Sequence, residues 1–187
     1  MKSISRKDTY QFLFNVQNVL PIIVSQNIKD EASIVLSHTN LLLGLNVLKN
    51  HINYQYNLLS CISGVDLLHT THRFAVIYDL LSVKFNSRLR VKVFLNETTA
   101  VQSSIPFFVN ANWWEREVWD MFGIYFQNHP DLRRILTDYG FEGYPLRKDF
   151  PLTGYVEVKY DSIKKRVSVE SLELAQEFRS FSYDTAW

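Results

Sequence analysis

Apolar positions in the first half of the chain switch between a helical and a strand period. From Arg6 to Leu20, the side chains Tyr10, Leu13, Phe14 and Leu20 share one face of a predicted helix. A second helix is predicted from Thr39 or Asn40 to about Lys49, with Leu41, Leu42, Leu45 and Leu48 at helical spacing. Between them, Ile22–Gln26 and Ser33–Ser37 read as strands joined by the polar turn Lys29–Asp30–Glu31. Three more strands follow at Asn57–Ser63, Arg73–Ser82 and Arg88–Leu95. The last alternates, with Leu89, Val91, Val93 and Leu95 turned inward and Arg90, Lys92 and Phe94 outward; a turn at Lys84–Ser87 makes the final two a hairpin. After Asn112 the helical period returns, placing Trp114, Val118, Trp119, Met121 and Phe122 on one broad arc, and Gly123 suits a left-handed C-terminal residue. The order α-β-β-α-β-β-β-α predicts an α+β fold, a mixed sheet with helices mainly on one face. Residues 1–122 are assigned to this domain and residues 123–187 to a long extended C-terminal tail.

The last helix carries more charge than its apolar arc needs. Arg116, Glu117 and Asp120 fall opposite the arc, and Arg116 and Asp120 have i,i+4 spacing for a pair. Glu115 lies inside the arc. It either caps the helix, as the third residue after Asn112 in a capping-box variant, or is a buried carboxylate paired with Arg133 or Arg147, because an unpaired buried charge is too costly.

From Gly123 to Gly154 lie seven of the chain's eleven Gly and Pro residues, so no long helix or central strand runs through this stretch. Disordered linkers are poor in aromatics, yet this one holds Tyr125, Phe126, Tyr139, Phe141, Tyr144, Phe150 and Tyr155. One short helix fits, from His129 or Asp131 to about Thr137, with Pro130 in its first turn. The rest is expected to be extended chain whose side chains occupy pockets, some of them on other proteins. The residues expected to make partner contacts or structural pairs are Glu115, Arg116, Asp120, His129, Arg133, Arg134, Tyr139, Phe141, Tyr144, Arg147, Lys148 and Phe150.

No reaction is legible in these residues. His69 and His72 share a turn without a nearby cysteine or carboxylate. Glu115 and Glu117 point about 200° apart on a helix and cannot form an acid–base pair. His129-Pro130-Asp131 reads as a helix start, and Gly140 to Gly143 as a turn without phosphate-loop residues. The single cysteine, Cys61, rules out a disulfide, a thiolate zinc site and a self-contained iron–sulfur cluster, which takes about four thiolates; in an apolar strand it reads as a small core residue. Net charge is +1, with Arg133, Arg134, Arg147 and Lys148 interleaved with Asp131, Asp138 and Asp149. That is no one-signed groove for nucleic acid. The most apolar run, Phe12 to Val24, is broken by Asn15, Gln17, Asn18 and Pro21, short of the ~18 residues of a membrane span.

The run EREVWDMFGIYFQNHPDLRRIL, then TDYGFEGYPLRKDFPLTGYVEVKYD, resembles the signature of the 30-kDa subunit of respiratory NADH:quinone oxidoreductase, complex I. The likeness extends upstream through CISGVD and RFAVIYDLLSVKFNSRLRV, and downstream through KKRV and LAQEFRSF to the closing TAW. Within the family the chain is most similar to the mitochondrially encoded version. Arg6 is the only arginine before Arg73, unlike an arginine-rich presequence. Thirteen Asn, thirteen Phe and ten Tyr favour AT-rich codons, as expected of an organellar or other low-GC genome.

The resemblance implies a non-catalytic scaffold subunit of the hydrophilic arm, on the matrix side of the mitochondrial inner membrane. Its neighbours would be the quinone-site subunit of the 49-kDa type and iron–sulfur subunits. NADH, FMN, iron–sulfur clusters and quinone would be bound by those other subunits and none by this chain. The alternatives are the equivalent subunit of a related membrane-bound hydrogenase or dehydrogenase, and a stand-alone hydrolase using Asp, Glu and His of the central stretch. The purified chain is accordingly predicted to be colourless and inert. Elemental analysis and an NADH oxidation assay check this, and stoichiometric metal or turnover would refute it.

Overall fold

The computed structural model describes residues 6–28 and 31–183. In chain order the elements are α1 (Arg6–Val19), β1 (Ile22–Ile28), β2 (Glu31–Leu36), a 3-10 turn (His38–Asn40), α2 (Leu41–Asn50), β3 (Leu58–Asp66), β4 (Phe74–Ser82), β5 (Ser87–Leu95), β6 (Val101–Gln102), α3 (Ala111–Phe122), β7 (Phe126–Gln127), β8 (Val156–Asp161) and β9 (Arg166–Ser171). The order foreseen to residue 122 holds, with the 3-10 turn and the two-residue β6 added. Lys29 and Asp30 of the foreseen turn, the side chain of Tyr10 and the closing TAW lie outside the described part.

The main sheet runs β1-β2-β5-β4-β3. It is mixed because β2 joins β5 in parallel, Ala32 opposite Leu89 and Leu36 opposite Val93, while the other neighbours are antiparallel. The alternation in β5 sets the layers: Leu89, Val91, Val93 and Leu95 are buried in one core with Leu13, Val16 and Leu20 of α1, Leu41, Leu45 and Leu48 of α2, and Val118 and Phe122 of α3. The helices therefore cover one face of the sheet, as expected of α+β architecture.

Three placements differ from the sequence reading. Phe14 is 63% exposed and Val16 takes the core position, because Leu13, Val16 and Leu20 keep the i, i+3, i+7 stripe that Phe14 breaks. The register of β3 slips between Leu59 and Cys61, which turns Cys61 outward beside Asp79 (Sγ–Oδ2 3.5 Å) instead of into the core. The tail is not uniformly extended: β8 and β9 form an antiparallel hairpin, Val158 opposite Val169.

Chain compactness divides the molecule between Lys148 and Asp149, where the sequence put the boundary after residue 122. Residues 123–148 group with the first unit because Ile124 and Phe126 enter its core and β7 pairs with β6.

Gly64 of β3 is where helix and sheet come closest. A Cβ there would lie 2.5 Å from the Phe122 ring. Gly64→Ala is expected to lower the unfolding free energy by about 1–3 kcal/mol through overpacking, measured by urea denaturation of the full chain.

Candidate functional site

The polar residues singled out in the sequence collect around α3. Its start explains the first difference from expectation. The helix begins at Ala111, with Asn110 as N-cap and no side-chain cap bond, so Glu115 sits in the second turn and caps nothing. Its side chain is fully buried. One carboxylate oxygen accepts from the Ser104 N–H and hydroxyl, both at 2.7 Å, and the other from the Ser103 hydroxyl at 2.6 Å. No arginine among the described residues pairs with it; the second expectation, Arg133 or Arg147, fails as well. His129 approaches instead, Nε2 to Oε2 4.0 Å, with both side chains inaccessible. The Asp131 N–H points at His129 Nδ1 (3.1 Å), so that nitrogen accepts and Nε2 is left to donate to the Asn112 carbonyl at 3.2 Å. Burial raises the Glu115 pKa, and the serine donors only partly oppose it. The phenol of Tyr78 is pushed well up, by its own burial and then by the Glu115 charge.

Asp120, one turn and a half further on, has the opposite balance. It too is fully buried rather than solvent-facing. Its Oδ2 accepts three consecutive backbone N–H groups, Ile135 (3.2 Å), Leu136 (2.8 Å) and Thr137 (3.0 Å). Its Oδ1 takes the Thr137 hydroxyl at 2.7 Å and Arg134 Nη1 at 3.4 Å. Burial alone would raise its pKa, but these donors more than offset it and the net shift is downward. The short helix foreseen from His129 or Asp131 to Thr137 is absent, since the N–H groups it needed are turned onto this carboxylate. The i,i+4 pair also fails. Arg116 is buried and donates through Nε to the Arg133 carbonyl (3.1 Å), with its guanidinium 5.7 Å from the Trp113 ring centroid.

The remaining residues form a second layer over α3. Arg134 donates to Gly143 C=O at 3.0 Å and lies 5.3 Å from the Tyr144 ring and 5.9 Å from those of Phe141 and Trp119. Arg147 donates to the last helical carbonyl, Phe122 O, at 2.7 Å and stacks 4.5 Å from Tyr144. Gly123 is left-handed (φ 78°), and a Cβ there would meet Arg147 at 2.6 Å, so glycine serves both the helix end and the arginine. The Lys148 N–H reaches Asp66 Oδ2 at 2.8 Å, an anchor the sequence reading missed. Asp66 is held by Arg73 at 3.0 and 3.1 Å, and Arg73 foremost keeps its carboxyl below the usual range. A carboxylate closing an otherwise apolar strand was the signal for it. Arg133 pairs with Asp131 at the surface (3.1 Å), Tyr139 projects fully into solvent, and Phe150, in the second unit, meets Tyr155 edge-on at 5.5 Å. Ser103 and Ser104 were also missed. His72 is bonded to Asn96 at 2.8 Å in its exposed turn.

These groups donate, accept and stack on each other, and the cluster works as a clamp that fixes irregular chain to a helix. A cavity of about 680 Å³ lies elsewhere, against Phe12, Tyr54, Tyr56, Cys61, Asp79 and Arg90. There Arg90 is paired with Asp79 at 2.7 Å, and burial, then Asp79, pushes the Cys61 thiol up.

A family model described as the 30-kDa subunit of respiratory-chain NADH dehydrogenase matches residues 34–156, a span that includes the whole of α3 and the clamp. The chain belongs to that family. It is 57% identical over 159 residues to NADH-ubiquinone oxidoreductase subunit 9 of Reclinomonas americana, covering 85% of this chain and 78% of the relative. It is 54% identical over 154 residues to the mitochondrial NADH dehydrogenase (ubiquinone) iron-sulfur protein 3 of Candida albicans, 82% of this chain and 55% of that one. The NADH dehydrogenase (ubiquinone) iron-sulfur protein 3 of Arabidopsis thaliana is 56% identical over 140 residues, 75% of this chain and 74% of the relative. Among solved structures, a chain of the archaeal membrane-bound sulfane sulfur reductase, a respiratory membrane complex, superposes with TM-score 0.65 at 21% identity. It covers 76% of this chain and 85% of that one. That likeness speaks to the fold. As a member of the 30-kDa family, the chain is a mitochondrial respiratory-chain subunit of complex I, and no helix among its described residues is long and apolar enough to cross a membrane.

In this complex I subunit the two buried carboxylates predict opposite pH dependences. Asp120, with its lowered pKa, stabilises the fold fully above the ordinary value of 3.8, and that contribution is lost as pH falls through the folded value. Glu115, raised from 4.5, is most favourable below 4.5 and loses that advantage as pH rises through its folded value. Urea midpoints followed across pH are therefore expected to show a shallower acid-side decline in Asp120→Asn, and to lose the decline that sets in above 4.5 in Glu115→Gln. Asp120→Ala, which leaves buried donors unpaired, is expected to cost about 1–3 kcal/mol. Profiles parallel to the parent protein in both variants would assign the pH dependence to other groups.

Proposed function

We propose that this chain is a non-catalytic core scaffold and assembly subunit of the complex I hydrophilic arm, on the matrix side of the mitochondrial inner membrane. In this reading it supports the quinone-reducing module in NADH-to-ubiquinone electron transfer coupled to proton translocation. NADH, FMN, iron–sulfur clusters and quinone belong to other subunits. The quinone-site subunit of the 49-kDa type and the iron–sulfur subunits are its neighbours. An organellar gene fits the composition.

The observation that carries the proposal is the hairpin of the second unit. Val156, Val158 and Tyr160 of β8 and Val167 and Val169 of β9 share one face, and each is 54–66% exposed. The other face is charged, with Lys159 paired to Glu170. Two strands alone are marginal in water and need a third strand or a packed surface. Downstream, Leu174, Phe178, Phe181 and Tyr183 are exposed as well. A segment with this much uncovered apolar surface supports a partner-binding tail, and the clamp supports a scaffold.

The test introduces Val158→Lys together with Val169→Lys into the full chain within its complex. Both positions face solvent and belong to the second unit, so the melting temperature of the first unit should stay unchanged. Assembly of the quinone-reducing module should fall by about tenfold or more, since each lysine would have to be desolvated on docking. Native gels and NADH:quinone activity report it. Recovery of a full-size active complex carrying both lysines would rule the tail out as a docking element.

A further inference from the structure

The loop from Arg133 to Lys148 is anchored from beneath and apolar above. Three of its N–H groups end on Asp120, the Leu146 N–H on the Met121 carbonyl (3.1 Å) and the Lys148 N–H on Asp66 (2.8 Å). Arg134 ties the Asp120 end of the loop to the Gly143 carbonyl (3.0 Å). Held in this way, Leu136, Tyr139 and Leu146 are 60%, 102% and 53% exposed. Asp138 and Glu142 stand exposed among them, and neither is paired with a cation among the described residues. Of the loop's cations, Arg134 and Arg147 are engaged inward, Arg133 pairs with Asp131 at the surface and Lys148 stands at the far end, so between Leu136 and Leu146 the charged residues are Asp138 and Glu142 alone.

We propose that this ridge is a preformed plug for an apolar groove of a neighbouring protein subunit whose rim carries lysine or arginine. The inference rests on the scaffold reading and adds the chemistry of one partner. A free surface loop gains nothing from exposing three large apolar side chains, and fixing them in advance lowers the ordering cost of docking. Tyrosine beside aliphatic anchors suits the desolvated centre of an interface. The two unpaired carboxylates select a basic rim and disfavour an acidic surface, an anionic membrane or nucleic acid.

The test uses the full chain in its assembled complex. A photoreactive benzoylphenylalanine in place of Tyr139 is expected to cross-link one other subunit, within an apolar groove bordered by basic residues. The triple variant Leu136→Ser, Tyr139→Ser, Leu146→Ser should weaken retention of that subunit about tenfold or more, with the chain's melting temperature unchanged. Asp138→Lys with Glu142→Lys, which leaves the anchors intact, should weaken it as well, and less so at high salt. Cross-links confined to this chain or to lipid, or parental retention in the triple variant, would overturn the plug while leaving the scaffold reading standing. Failure of the parental chain to co-isolate with other NADH-ubiquinone oxidoreductase subunits would remove both.

Discussion

The structure depends on a constraint that irregular backbone cannot escape: every buried N–H group needs an acceptor. Residues 133–148 have neither helix nor sheet to supply one. Asp120 supplies it from the last turn of α3, taking three successive N–H groups on one oxygen. Asp66 does the same for Lys148 at the end of β3, and Phe122 O takes Arg147. The loop is thus built on side chains of regular elements, and its shape is only as secure as those two carboxylates.

The two buried acids of α3 show how neighbours decide what burial costs. Glu115 and Asp120 are equally inaccessible. Glu115 has two serine hydroxyls and one N–H, and its proton is held more tightly than in water. Asp120 has three N–H groups, a hydroxyl and an arginine, and its proton is released more easily. Burial dominates at Glu115, whose three donors only partly oppose it, whereas at Asp120 the more numerous donors outweigh burial.

Much of the first unit was legible because its strands alternate and its helices carry leucine stripes; Leu89 to Leu95 and Leu41 to Leu48 lie where the periods put them. Glu115 was legible as an anomaly, but its partners were not, since Ser103 and Ser104 look like any loop serines and their approach is set by tertiary contact. Asp120 and Arg116 read as solvent-facing because a helical wheel knows one buried face, and here the loop of residues 133–148 buries the other. The same loop hid the failed helix: its N–H groups had a better acceptor than the carbonyls four residues back. The hairpin's alternation, Val156, Val158, Tyr160, then Val167, Val169, is present in the sequence, but with its apolar face outside the core no burial pattern marks the two runs as a pair.

The parallel contact between β2 and β5 sets a clock on synthesis. Ala32 finds Leu89 only after roughly sixty further residues have been made, about 3 to 12 seconds at ~5–20 residues per second. Through that interval β2 has β1 on one side and an unpaired edge on the other, its N–H and C=O groups open to another strand. The nascent chain therefore passes through a sticky stage whose length is fixed by topology, and faster elongation or a chaperone over the strand shortens the exposure without altering the folded protein.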